Sequence, residues 1–359
     1  MSIPAFDQKE LIVAGEVPGI AGGPPMPVYS FPVTPGEAYL AMFNKEAVWQ
    51  ITGVEQCLFC PKINPDYIAR AFVVDGSDMS RGEGGGKDMF GIEWEYIAQV
   101  GGSMVRPGKA LLQDANEWYE KVVWPDIEAW DWEGAAKYNA EYLSGDNYIN
   151  CWIMNGWYER LISFMDFEGA IMAMIDEDQT DAVKALYDKL SDLYISIIDK
   201  YLEYFPQIDG FTIHDDWGSQ KETFFSPATA GEMIVPYMQK VTGHIHSRGK
   251  RAELHSCGQL LKQVPNIINA GWDIWTPQLM NDTHKIYELY GDKIIIAVAP
   301  DQFDPETLSE SEQRAAAKDY ANKFCNPKKP STFNFYSIAM LTNAFREELY
   351  KQSRINYMG

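Results

Sequence analysis

His255 and Cys257 stand two apart in "KRAELHSCGQLL", residues 250–261, where a short apolar run gives way to polar residues. Side chains two apart on an extended segment point the same way, so this imidazole and thiolate can grip one ion. Nitrogen with soft sulfur selects zinc over magnesium or calcium. A catalytic zinc site takes about three protein ligands and keeps one position open, so a further donor must come from another segment. Cys325, in "NKFCNPKKP" just before the last strand, is the favoured third ligand, with His214, Asp215 and Asp216 of "DGFTIHDDWG" as alternatives. The competing reading makes His255 a satisfied core histidine and Cys257 a buried apolar side chain. Cys57 and Cys60, in "EQCLFCPKINP", have neither a second CxxC nor a thioredoxin-like βαβ context and are read as structural.

The elements that must position these residues begin at about residue 145. "NYINCWIMNG" reads as a strand, and "TDAVKALYDKLSDLYISIIDKYLEYF" as a helix, with apolar residues at Val183, Leu186, Leu190, Leu193, Ile197 and Tyr201. The strand "DGFTIHDDWG" follows, and Ser226-Pro227 starts another helix. The cycle repeats through "KRAELHSCG", "WDIWTPQ", "DKIIIAVAPDQ" and "STFNFYSIAM", with a closing helix from about Asn343. Such alternation predicts βα units and a parallel sheet. No G-x-G-x-x-G follows a strand, which weighs against a dinucleotide-binding open sheet. Four strands end in polar residues: His214-Asp215-Asp216, His255-Ser256-Cys257, Thr276-Pro277-Gln278 and Pro300-Asp301. In a (β/α)8 TIM barrel such ends meet at one mouth, where active sites form. The expectation is therefore an α/β protein, a single barrel domain over 1–359. About 1–110 form an N-terminal extension with lid loops, and about 145–359 the regular βα units. The helix before Cys325 runs away from the mouth, which is a geometric difficulty for that ligand.

The N-terminal part is rich in Pro, Gly and aromatics, with a helix starting at Thr34-Pro35 and a glycine-rich loop in "DGSDMSRGEGGGKDMFGIEW". A net charge of −21 weighs against nucleic acid as a partner, since phosphate backbones need a basic patch. No apolar run reaches eighteen residues, so no membrane span is expected. The opening "MSIPAFDQKELIVAG" lacks a basic segment followed by an apolar one, and the cysteine count is odd at five. Both lead us to expect a cytoplasmic protein with reduced thiols.

The phrase "IDGFTIHDDWGSQKETFFSP", with "HSCGQL" about forty residues on, resembles the uroporphyrinogen decarboxylase superfamily. Within it, the chain resembles the zinc-dependent methyltransferases that work with corrinoid proteins. "NPDYIARAFVVD" and "FGIEWEY" are similar as well, so the resemblance covers most of the chain. It implies a Zn2+ site at His255-x-Cys257 and a corrinoid (cobalamin) carried by a partner protein. No Arg-rich phrase of the decarboxylases occurs near "PAFDQKELIVAG" or "AMFNKEAVWQ", and "STFNFYSIAM" lacks the cysteine of the thiol-methylating members. The resemblance thus implies the O-demethylase half-reaction, in which a small-molecule donor, an aryl methyl ether, gives its methyl group to cob(I)alamin. In that picture His214, Asp215 and Asp216 are catalytic, orienting the substrate or protonating the phenolate. Trp152, Trp217 and Tyr336 wall an aromatic pocket, and Asn155, Gln278 and Asp301 add polar groups for substrate binding. A coenzyme M-type thiol methyltransferase, a metal-free decarboxylase-like enzyme and a non-catalytic corrinoid- or small-molecule-binding barrel stay open as alternatives.

Overall fold

The computed structural model describes residues 4–17, 25–77, 79, 82–99, 101–334 and 338–358. The chain divides into two compact units, one of Leu58–Gly145 with Ile149–Asp273, the other of Met1–Cys57, Asp146–Tyr148 and Ile274–Gly359.

The first unit carries most of the strand β1 (Tyr148–Ile153), then the helices α1 (Trp157–Ala173) and α2 (Thr180–Tyr204). Strand β2 (Gly210–His214), helices α3 (Pro227–Met233) and α4 (Val235–Ser247), strand β3 (Arg251–His255) and helix α5 (Val264–Asn269) follow. β2 pairs in parallel with both neighbours, Cys151 opposite Phe211 and His214 opposite His255. All five residues of β2 are buried, as expected of a parallel strand covered on both faces. Val183, Leu186, Leu190, Ile197 and Tyr201 of α2 are buried, as the 3.6-residue period predicts, while Leu193 of the expected stripe is only half-buried. Ser226 starts α3 by accepting a hydrogen bond from the Thr229 N–H.

The same unit holds a small antiparallel sheet of Gly86–Lys87, Glu93–Ile97 and Gly102–Val105. The glycine-rich stretch leads into it, with residues 78, 80 and 81 outside the described set. At Gly84 a side chain is impossible, since a Cβ would lie 2.2 Å from the Ile68 carbonyl oxygen. Asp88, between the first two strands of this sheet, belongs to a buried ionic cluster. Arg160 donates to Asp88 at 2.6 Å and to Asp66, and its guanidinium lies 4.7 Å from the Phe90 ring centroid. The Trp94 indole also donates to Asp88, at 2.9 Å.

In the second unit β4 (Ile274–Trp275), α6 (Thr283–Tyr290), β5 (Ile295–Val298), α7 (Glu310–Phe324), β6 (Thr332–Phe333) and α8 (Asn343–Met358) alternate in the expected order. The strands are again parallel, Ile274 opposite Ile295 and Ala297 opposite Thr332. Strand β6 is two residues long, shorter than "STFNFYSIAM" suggests, and residues 335–337, Tyr336 among them, lie outside the described set. The N-terminal helix Pro35–Phe43 begins as expected, with Thr34 as its cap in a capping box. The alternation of parallel strands with helices makes the protein α/β in both units. Among the described residues no helix is long and apolar enough to cross a membrane.

Candidate metal centre

Strands β2 and β3 pair in register, so their last residues, His214 and His255, stand on one rung. Adjacent strands run about 4.8 Å apart, and the two imidazoles stack with centroids at 4.6 Å and planes 22° apart. Each strand end then repeats one pattern, His-x-Asp on β2 and His-x-Cys on β3. The structure brings His214, Asp216, His255 and Cys257 together, one ligand atom of each within 4.8 Å of all the others. His255 Nε2 is 3.4 Å from Cys257 Sγ, and His214 Nε2 is 4.0 Å from Asp216 Oδ1. Asp216 is fixed by accepting the Cys257 N–H at 2.7 Å.

Asp215, between the two, points to the other face. Its Oδ1 accepts the Glu159 N–H and its Oδ2 the Trp217 indole N–H, both at 2.9 Å. It therefore caps α1 from a neighbouring strand, because the helix's own N-cap, Gly156, has no side chain to do so. A Cβ on Gly156 would lie 2.5 Å from Asp215. Burial and the nearby Glu159 carboxylate raise the Asp215 pKa to about 7 against its two hydrogen bonds.

The sequence reading missed two residues. Glu159, two residues beyond Trp157 on α1, places Oε2 2.5 Å from His214 Nδ1. Its Oε1 lies 3.1 Å from Arg70 Nη1, and Arg70 also donates to Asn155 Oδ1 at 3.1 Å. Burial disfavours a charged imidazole at His214, but Glu159 and Asp216 outweigh it and raise the pKa. Asp216 is desolvated too, yet His214 and His255 hold its carboxyl below the usual range. Burial, with Asp216 beside it, pushes the Cys257 thiol up. For Glu159 the available signal was its place beside Arg160 in the apolar "WYERLISF".

The remaining candidates have these places. Trp152 lies 5.4 Å from His255 and stacks on Phe72 at 5.6 Å, ring centroid to ring centroid. Asn155 is buried and donates to Asp66 at 3.1 Å, and Trp217 is buried on Asp215, so both hold the scaffold. Gln278 and Asp301 belong to the second unit. The backbone oxygen of Gln278 accepts from Asn281, and Asp301 is exposed and pairs with Lys323 at 3.3 Å. Cys325 also belongs to the second unit, where it ends α7 and donates its S–H to Gln50 Oε1 at 3.0 Å. It is not a member of the four-residue cluster.

The cluster depends on the turn after each strand. Gly258 has φ +101°, and a Cβ there would lie 2.3 Å from the Gly218 carbonyl carbon. Gly258→Ala combines a left-handed strain of roughly 1–3 kcal/mol with a backbone clash. We expect a lower urea midpoint and a displaced Cys257, read by denaturation and by thiol accessibility to a chromogenic disulfide.

Two imidazoles, a thiol and a carboxylate match the donors that a catalytic zinc site draws on, so the residues present fit that ion. No protein-family model matches the chain. No curated protein matches it either. Among solved structures, a methyltransferase from Methanosarcina mazei is similar with a TM-score of 0.55 and 16% identity, over 91% of this chain and 100% of that one. An endo-beta-1,4-mannanase from Thermotoga petrophila reaches a TM-score of only 0.34 at 10% identity, over 67% of this chain and 68% of that one, too low to carry an argument. The chain is thus an α/β protein that shares its fold with the Methanosarcina mazei methyltransferase.

Proposed function

We propose that this chain is a zinc-dependent methyltransferase that takes the methyl group of a methoxylated aromatic and passes it to the cob(I)alamin of a separate corrinoid protein. The reading places it in the cytoplasm as one closed (β/α)8 barrel with an N-terminal extension. The observation that carries it is the meeting of His214, Asp216, His255 and Cys257 at the ends of two paired parallel strands. The fold shared with a methyltransferase supports it.

His255, Cys257 and His214 would hold the ion, three protein donors that leave a position for a substrate oxygen. Bound zinc would supply a Lewis acid for the ether oxygen. Asp216, fixed by the Cys257 N–H, is charged and placed to accept a hydrogen bond from a substrate hydroxyl. Trp152, which lies beside His255 and stacks on Phe72, would offer an aryl ring an aromatic neighbour. Asp215 serves by fixing the start of α1. In the overall displacement the methyl carbon forms a bond to cobalt, the carbon–oxygen bond breaks, and the phenolate takes a proton from water.

The test incubates zinc-loaded protein and cob(I)alamin with a panel of methyl donors and follows the absorbance of methylcobalamin. Methoxylated aromatics are expected to react while methanol and methylamines do not. Methyl passing instead from methylcobalamin to a thiol would assign the thiol-methylating reaction. Activity that survives removal of all metal would overturn the zinc reading.

A further inference from the structure

Of the four clustered donors, His214 is gripped through its far nitrogen by a carboxylate that is itself held. Nδ1 lies 2.5 Å from Glu159 Oε2, and Glu159 is 7% exposed. Its other oxygen lies 3.1 Å from Arg70, whose guanidinium sits 4.9 Å from the Trp94 ring centroid. Glu159 also sits in the first turn of α1, with its backbone N–H given to Asp215. Both its main chain and its side chain are thereby fixed. A carboxylate at Nδ1 requires the proton there, which leaves the Nε2 lone pair facing Asp216, His255 and Cys257. An imidazole so held loses little rotational freedom on binding a cation and is a stronger donor to it.

We propose that Glu159 is the positioning residue of the metal centre, setting the ring orientation and tautomer of His214, with Arg70 holding Glu159 in place. The inference rests on the metal reading above and adds to it a residue that never touches the ion. Loss of an outer partner of this kind costs about 10–100-fold in metal affinity.

The test measures Co2+ and Zn2+ affinity of the full chain by competition with a chromophoric chelator, together with the visible absorption of the Co2+ form. Glu159→Ala is expected to bind 10–100-fold more weakly with unchanged stoichiometry and an altered Co2+ spectrum. Glu159→Gln keeps a neutral acceptor and should fall between the two, and it decides the matter if the alanine variant does not fold. A folded variant with the affinity and spectrum of the parent overturns the positioning role while leaving the metal reading intact. A parent protein that binds neither ion overturns the metal reading and this inference together.

Discussion

Cys257→Ser is expected to fold normally and to lose its zinc. The thiol is half-buried and two bonds from the backbone, so a hydroxyl of nearly the same size fits the space. The chemistry is what changes. Burial and the Asp216 carboxylate keep the sulfur protonated without a cation, and a bound ion reverses that balance because it favours the thiolate. A serine hydroxyl has no comparable anion to offer. Affinity should therefore drop by more than the ~10–100-fold expected for an outer partner such as Glu159. Cys325→Ser is the control. That sulfur donates to Gln50 in the second unit, a bond that a hydroxyl can also make, so zinc content should stay at the parent level. Metal analysis after dialysis against a weak chelator separates the two variants. Retention in Cys257→Ser, or loss in Cys325→Ser, would move the site away from the strand ends of β2 and β3.

Arg160→Met is expected to give the largest loss of stability. The guanidinium is fully buried between Asp66 and Asp88, and both carboxylates are buried as well. Removing one side of a buried ion pair costs about 3–5 kcal/mol, because the charges left behind have no partner. The loss is read as a lower urea midpoint. Its pH dependence follows from Asp88, which burial already raises above the ordinary carboxylate range although Arg160 opposes the shift. Without the guanidinium that carboxyl rises further. A carboxyl with a raised folded-state pKa loses stability as pH climbs through that value, so the deficit should be smaller at pH 5 than at pH 7. Arg160→Lys should recover only part of it, since one ammonium cannot reach both carboxylates as a planar fork does.

The βα alternation was readable because strands buried on both faces leave long apolar runs, while helices such as α2 keep a 3.6-residue stripe. The pairing of His255 with Cys257 was readable for the same local reason, two side chains on one face of an extended segment. Alternation alone also separates Asp215 from its neighbours, since it must face away from His214 and Asp216. Reading the three as one catalytic group overlooked that. Glu159 and Arg70 could not be placed from sequence, because their partners lie 55 and 89 positions away and are set by packing between helix and strand. For Cys325 the direction of the preceding helix argued against a ligand role more strongly than its residue type argued for one.

The shared rung of His214 and His255 carries a cost and a safeguard. Shifting β2 by a single residue against β3 would turn every side chain on it to the opposite face, pulling His214 out of reach of His255 and Cys257. Only the correctly aligned pair of parallel strands can then capture a cation with all its donors. Capture would thus favour that alignment over its misfolded competitors by mass action, and the melting temperature should climb with free zinc.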